Sequence, residues 1–194
     1  MESRTVRRAT LGDAAALAEL RAEMFTDMGS SAHDGWQDSA EQWFAARIDD
    51  PGCCFIVVEV AGDVVSCAVG FRRETIPSPG NPSGGDVHIN NVSTRPEHRG
   101  RGHASAALAE VMRWAETTGV RRAELMATAS GQRLYERVGF TVHEYPAMRA
   151  PLACSSSEPQ AGPAVDGRLD RVRRVGSDDV LPSNGVVPSG EARR

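Results

Sequence analysis

Residues 91–104 read NVSTRPEHRGRGHA, which places a β-prone segment, a turn with two glycines and an amphipathic helix in that order. The first turn of a helix has unpaired backbone N–H groups and a partial positive charge, so it attracts anions. Because Gly100 and Gly102 lack a Cβ atom, a phosphate can approach this backbone closely. A pyrophosphate group is therefore a natural ligand of the turn, and Arg99 and Arg101 could add positive charge.

A second interpretation of the same segment needs no ligand. A tight turn also requires glycine, and two arginines beside it are ordinary solvated side chains. The RGRG sequence over 99–102 does not distinguish these interpretations by itself.

Strand and helix signals alternate along the chain and predict an α/β fold. Four apolar residues at helical spacing predict a first helix that ends near Gly29: Leu17, Leu20, Met24 and Phe25. The next predicted elements are a helix over 39–48 and a hairpin of strands over 54–60 and 64–71, after a first strand over 5–9. The remaining elements are strands over 86–94, 122–128 and 140–145 and helices over 102–118 and 130–138.

The composition changes near residue 150. Beyond it, Ser, Pro, Gly and charged residues dominate, and large apolar side chains are scarce. Such a segment cannot bury enough apolar surface to offset the entropy lost on ordering. We therefore predict one folded domain over residues 1–150 and a disordered tail over 151–194.

Several classes of protein are disfavoured. All 22 cationic side chains are arginine, so a GxxxxGK[ST] phosphate-binding loop is impossible. The net charge of −4 argues against nucleic acid as a partner. No apolar run is long enough for a membrane span, and the first residues lack the apolar core of a secretory signal, so we expect a cytoplasmic protein. The four cysteines form no CxxC pair, and no His/Cys pair has zinc spacing, so we expect no metal.

Two short elements resemble the GNAT (GCN5-related N-acetyltransferase) family. RGRGHA over 99–104 matches the [QR]-x-x-G-x-[GA] element that binds the pyrophosphate of coenzyme A, and LYERVGF over 134–140 resembles the family's L-Y-x-x-x-G-F. Together, in this order and spacing, they are far more specific than either alone, and the resemblance extends over roughly residues 4–148. It implies a mixed, mostly antiparallel twisted sheet flanked by helices, with acetyl-CoA as co-substrate.

The resemblance also implies roles in donor binding. Five residues of the turn would supply backbone N–H groups to the pyrophosphate: Gly100, Arg101, Gly102, His103 and Ala104. In the family, the preceding strand splays at a bulge and pairs with the pantetheine arm, which places Val92 and Thr94 beside that arm. The Val92 N–H would also polarise the thioester carbonyl, as an oxyanion-hole donor does.

Tyr135 matches the tyrosine that often protonates the departing thiolate in this family, although a packed helix aromatic is the alternative. Many relatives have an asparagine after the fifth strand, where this chain has Thr128, Ala129 and Ser130. Ser130 could make a weaker hydrogen bond in its place.

An alkylammonium acceptor must lose a proton before its nitrogen can attack. Several members of the family carry a glutamate eleven residues before the turn's arginine, and His88 occupies that offset here. An imidazole with a pKa of about 6.5 suits this task near neutrality. Asn90 shares its face of the strand, and Asp86 is the other titratable candidate. We predict that His88 is the general base, directly or through water; a partly exposed strand histidine is the alternative.

The family's acceptor site lies between the first two helices. Met24, Phe25 and Trp36 would line an apolar wall there, unless they only pack in the core. Four carboxylates would make this region suit a cationic amine, unless they are only solvated: Glu23, Asp27, Asp34 and Asp38.

These features predict an enzyme that transfers acetyl from acetyl-CoA to a primary amine of a small molecule or peptide, by direct attack in a ternary complex. Three alternatives stay open: a non-catalytic acyl-CoA-binding module, a GNAT modifier of a protein N-terminus, and a generic nucleotide-binding domain. The missing P-loop and GxGxxG disfavour the last. Family members are often dimers, so a homodimer is also open.

Overall fold

The computed structural model describes residues 3–30, 35–145, 147–150 and 152. The chain divides into two units, Met1–Pro146 and Ala147–Arg194. The described residues of the second unit, 147–150 and 152, are exposed and form neither helix nor strand. Apart from Leu152, the tail predicted to be disordered lies outside the described residues.

The first unit contains all the helices and strands found in the described residues. The strands are β1 (Arg4–Arg8), β2 (Cys53–Val60), β3 (Asp63–Arg73), β4 (Asp86–Thr94) and β5 (Ala123–Glu124). The helices are α1 (Ala14–Asp27), α2 (Trp36–Ala45), α3 (His103–Thr117) and α4 (Gln132–Glu136). Short 3-10 helices, Leu11–Asp13 and Pro96–His98, precede α1 and follow β4. No helix in these ranges is long and apolar enough to cross a bilayer.

The strands form one sheet in chain order, β1-β2-β3-β4-β5. The first three pairings are antiparallel and the pairing of β4 with β5 is parallel. Ala61 and Gly62 both have positive φ, at 54° and 94°, as a tight hairpin turn between twisted strands requires. The predicted mixed, mostly antiparallel sheet flanked by helices is confirmed.

Helices cover both faces of the sheet. The face toward α3 carries one apolar cluster, which includes Ile56, Val58, Val87, Ile89, Leu108 and Val111. The face toward α1 and α2 carries the other, which includes Leu17, Leu20, Phe44, Phe55 and Val57. β2 is apolar at nearly every position because both of its faces are buried.

Four predicted elements were wrong in extent or existence. α4 covers Gln132–Glu136 rather than 130–138. α2 begins at Trp36 rather than residue 39, and the Trp36 ring packs edge-on against Phe25 of α1 at 5.6 Å between centroids. β5 ends at Glu124 rather than residue 128, because β4 and β5 separate there. The strand predicted over 140–145 does not form. Val142 and Tyr145 are 76% and 70% exposed, and the two-residue β5 provides almost no edge for this segment to pair with.

Candidate active site

The edge of β4 that faces β5 is open over most of its length. β5 pairs only with Val87 and His88, so beyond His88 no strand of the described chain covers this edge. On the opposite edge, the Arg95 N–H donates to a β3 carbonyl at 2.9 Å. Because backbone groups alternate between the two edges of a strand, the N–H groups of Val92 and Thr94 face the open side.

A β-bulge bends β4 just before these two residues. Asn91 has a φ of +46°, and the pairing with β3 shifts register opposite this point. Side-chain contacts hold the strained residue, because its Nδ2 donates to the Cys67 Sγ at 3.3 Å and its Oδ1 accepts from Arg21 at 3.4 Å. The bulge predicted for this strand is present.

The turn after β4 exposes its backbone. Gly100 and Gly102 have φ values of +76° and +79°, a conformation that favours glycine. A Cβ atom at Gly100 would meet nothing within 4 Å, and one at Gly102 would meet only the Arg4 Nη1 at 3.8 Å. α3 begins at the next residue, His103, so its unpaired first N–H groups point into this opening.

Two histidines lie beside the turn. His103, the first residue of α3, is 6% exposed. Its Nδ1 and that of His98 are buried with no hydrogen-bond partner in the described structure, and the ring centroids are 6.1 Å apart. Burial lowers the pKa of His103 below its usual 6.5, and the positive charge of Arg4 acts in the same direction. The half-buried Ala104 follows it in the helix.

The Arg99 guanidinium is bonded to two other groups of the protein. Its Nε donates to the Thr94 carbonyl at 3.0 Å, and its Nη2 forms a close ion pair with Asp27 of α1. The positive charge that Arg99 could add to the turn is therefore partly offset by one half-exposed carboxylate.

Arginines also pair with two of the four acidic residues expected near the acceptor. Glu23 pairs with Arg95 at 2.8 Å, and Asp27 pairs with Arg99. Asp38 is exposed in the first turn of α2, and Asp34 lies outside the described residues. The charge of α1 toward β4 is thus largely balanced by arginines.

Tyr135 lies on α4 and packs against the apolar cluster on the α3 side of the sheet. Its ring meets Phe140 edge-on at 6.1 Å, and burial raises the pKa of its phenol above the usual 10.0. Ser130 stands just before α4, with its Oγ 3.1 Å from the Thr128 Oγ1. This contact keeps the Ser130 hydroxyl within its own loop.

His88 lies half-buried on the opposite face of β4. Its ring is 5.2 Å from that of Phe71, and its Nδ1 is buried without a partner in the part of the chain described. Burial, and then the charge of Arg73, lower its pKa below the usual 6.5. Asp86, the other titratable candidate, is buried and bonded to the Arg73 Nε at 2.7 Å. Of these two candidates, His88 is therefore the one with an unpaired ring nitrogen, Nδ1, whereas Asp86 is already bonded to Arg73.

Asn90 points toward α1. Its Oδ1 accepts from the Asn91 N–H at 2.7 Å and from the Arg21 Nη1 at 3.2 Å. Sequence reasoning missed Arg21. The available signal was its position four residues after Leu17 and four before Phe25, which places an arginine on the buried stripe of the helix.

The predicted apolar wall is partly assembled. Phe25 and Trp36 are in edge-on contact, and the Arg21 guanidinium lies over the Phe25 ring at 4.9 Å. Met24 is half-buried beside Phe25 on α1. No three His, Cys, Asp or Glu side chains of the described residues are grouped to hold a metal.

The family model described as the acetyltransferase (GNAT) family matches residues 15–140. The chain belongs to the GNAT acetyltransferase family. Its sheet, helices and Gly100–Gly102 turn are therefore those of a GNAT acetyltransferase domain.

Solved structures share this GNAT fold. A GCN5-related N-acetyltransferase from Ralstonia eutropha is 26% identical with a TM-score of 0.70, covering 77% of this chain and 99% of that one. A predicted acetyltransferase from Clostridium acetobutylicum, solved with acetyl-CoA, is 20% identical with a TM-score of 0.69, over 76% and 96%. An aminoglycoside N-acetyltransferase in complex with CoA is 17% identical with a TM-score of 0.65, over 79% and 97%. The chain matches no curated protein.

Proposed function

We propose that this GNAT acetyltransferase transfers an acetyl group from acetyl-CoA to the primary amine of a small molecule or peptide, by direct attack in a ternary complex. The observation that carries the proposal is two sets of uncovered backbone donors. One is the open edge of β4 at Val92 and Thr94, and the other extends from Gly100 and Gly102 into the first turn of α3. Between them, the N–H groups of Arg95, His98 and Arg99 are bonded within the protein.

These two stretches match the two halves of the donor. The amide groups of a pantetheine arm can pair with Val92 and Thr94 as an added strand does. The backbone N–H groups of residues 100–104 bind the pyrophosphate, where the helix dipole favours negative charge. The Val92 N–H then polarises the thioester carbonyl.

The proposed acid, Tyr135, and the proposed base, His88, lie on opposite faces of the sheet. His88 faces α1 and α2, and is uncharged at neutral pH because burial lowers its pKa. It accepts the proton that the amine loses, directly or through water, as the nitrogen–carbon bond forms. Tyr135 lies on the α3 side and keeps its proton because burial raises its pKa. It donates that proton to the sulfur as the carbon–sulfur bond breaks, and regains one from solvent.

The first test is calorimetric titration with acetyl-CoA of the wild type and a Gly102→Glu variant. The added carboxylate repels the pyrophosphate and occupies its approach, so binding should be lost. Gly119→Glu is the matched control, because Gly119 also has positive φ (78°) and nothing within 4 Å, but lies at the other end of α3. A folded wild type that does not bind acetyl-CoA would contradict the proposal.

Turnover separates an enzyme from a non-catalytic acyl-CoA-binding module. Release of free thiol from acetyl-CoA in the presence of a panel of primary amines would support catalysis. Binding without turnover for every amine and for peptide N-termini would favour the binding module.

A further inference from the structure

Arg21 lies on α1, on the face of the sheet where the acceptor is expected, next to the bulge of β4. Its Nη1 lies 3.2 Å from the Asn90 Oδ1 and 3.4 Å from the Asn91 Oδ1. Asn90 shares its face of β4 with His88, two residues away, and a strand rises about 3.3 Å per residue. The guanidinium is therefore anchored roughly 7 Å along the strand from the proposed base.

No carboxylate neutralises this arginine within the described structure. The carboxylates of its own helix pair with other arginines: Glu19 and Glu23 with Arg95, and Asp27 with Arg99. The second oxygen of Glu23, Oε2, is buried without a hydrogen-bond partner among the described residues. The hydrogen-bond partners of Arg21 are neutral amides. Burial, the larger effect, lowers its pKa below the usual 12.5, and the neighbouring Cys67 thiol acts in the opposite direction. A half-buried cation without a counterion is costly until an anion reaches it.

Part of the guanidinium is left to meet such an anion. Only the Nη1 donates to a described residue, and the Arg21 side chain is not fully buried. The planar fork of arginine donors matches carboxylate and phosphate oxygens in pairs. The aromatic pair of Phe25 and Trp36 lies alongside and would contact the apolar part of the same molecule.

We propose that Arg21 binds an oxyanion of the acceptor, so that the acceptor is a primary amine that also carries a carboxylate or a phosphate. The inference rests on the proposed function and specifies its substrate class. It replaces the cationic acceptor that the acidic residues of α1 suggested, since arginines occupy two of those carboxylates, Glu23 and Asp27.

The test uses two pairs of amines that differ chiefly in the anion. L-phenylalanine is compared with phenethylamine for a carboxylate, and O-phosphoethanolamine with ethanolamine for a phosphate. Binding to the CoA-saturated protein is measured by calorimetry, and kcat/KM is measured with acetyl-CoA. We expect the wild type to favour the anionic member of at least one pair by about 10- to 100-fold, and the pair that responds identifies the anion.

Variants separate recognition from structural support. Arg21→Gln should abolish the preference, and Arg21→Lys should keep part of it. A mere loosening of the bulge would weaken both members of a pair equally and leave their ratio unchanged. Arg47→Gln is the matched control, because Arg47 also lies over an aromatic ring, that of Trp43 at 4.5 Å, and should leave the ratio as it is in the wild type.

The inference fails if the wild type binds the members without the oxyanion as well as or better than the members that carry it. It also fails if neither anionic probe binds the CoA complex, or if Arg21→Gln retains the full preference. Each of these results leaves acetyl-CoA binding intact, whereas loss of that binding counts against the proposed function itself.

Discussion

Arg99 and Asp27 meet where α1 passes the end of β4, and their ion pair partly offsets the charge of the arginine that precedes Gly100. The Arg99 Nε simultaneously holds the last carbonyl of β4, that of Thr94, at 3.0 Å. The pair is about half exposed, with side-chain exposures of 44% and 48%. The guanidinium is thus fixed in place by a backbone contact, while its charge is shared with a solvent-accessible carboxylate.

Asp27→Asn should strengthen acetyl-CoA binding. Without its counterion, Arg99 adds a full positive charge near the turn, so we expect affinity to rise about two- to tenfold at low ionic strength and the gain to shrink in salt. Calorimetry at two salt concentrations measures both effects. Glu19→Gln is the control, since it removes a carboxylate of the same helix that pairs instead with Arg95. Unchanged or weaker binding by Asp27→Asn would contradict the argument.

His88→Ala should lower kcat/KM by about 100-fold or more and change its pH dependence. The base must be uncharged, and the pKa of His88 lies below 6.5. The wild-type rate should therefore fall as the pH decreases through that pKa, and the variant should lack this limb. His143→Ala, at an exposed histidine, should behave as the wild type. Full turnover in His88→Ala would remove the residue from the mechanism.

Tyr135→Phe should reduce kcat by about 100-fold while acetyl-CoA affinity stays unchanged. The ring and its contact with Phe140 remain, and only the proton donor is lost. Because burial raises the pKa of the phenol above 10.0, the wild type should show no loss of this proton anywhere in the neutral range. Calorimetry beside steady-state kinetics distinguishes the two effects, and a wild-type kcat would show that the residue only packs.

Gly70→Ala should destabilise the domain. Gly70 lies on β3 beneath α3, and an added Cβ would be 2.6 Å from the Val111 Cγ1 and 3.2 Å from the Trp114 ring. Overpacking of this kind costs about 1–3 kcal/mol. Urea denaturation measures the change, with Gly80→Ala as control because a Cβ there would meet nothing within 4 Å. Equal midpoints for the two variants would mean that α3 can shift without cost.

The sequence predicted those strands and helices whose apolar residues recur at regular spacing. β2 and β3 follow from their apolar runs and short turn, and α3 from the spacing of Leu108 and Val111. The strand expected over 140–145 failed because alternation signals a strand only where a neighbouring edge is present to pair with it. The sequence also could not predict which charged side chains pair with each other. Arg21 contacts a residue 69 positions away, and the partners of Glu23 and Asp27 are similarly distant in the chain. The two motifs predicted the family, but which charges pair with each other depends on the fold.

The uncovered stretch of β4 has a consequence for how the empty protein behaves in solution. A row of unpaired strand donors and acceptors is a template for another polypeptide, and such edges promote self-association. If acetyl-CoA fills this row, the co-substrate also acts as a protective cap. We therefore expect the purified protein to aggregate more slowly in storage with acetyl-CoA than without it. Its thermal unfolding midpoint should also be higher when acetyl-CoA is present.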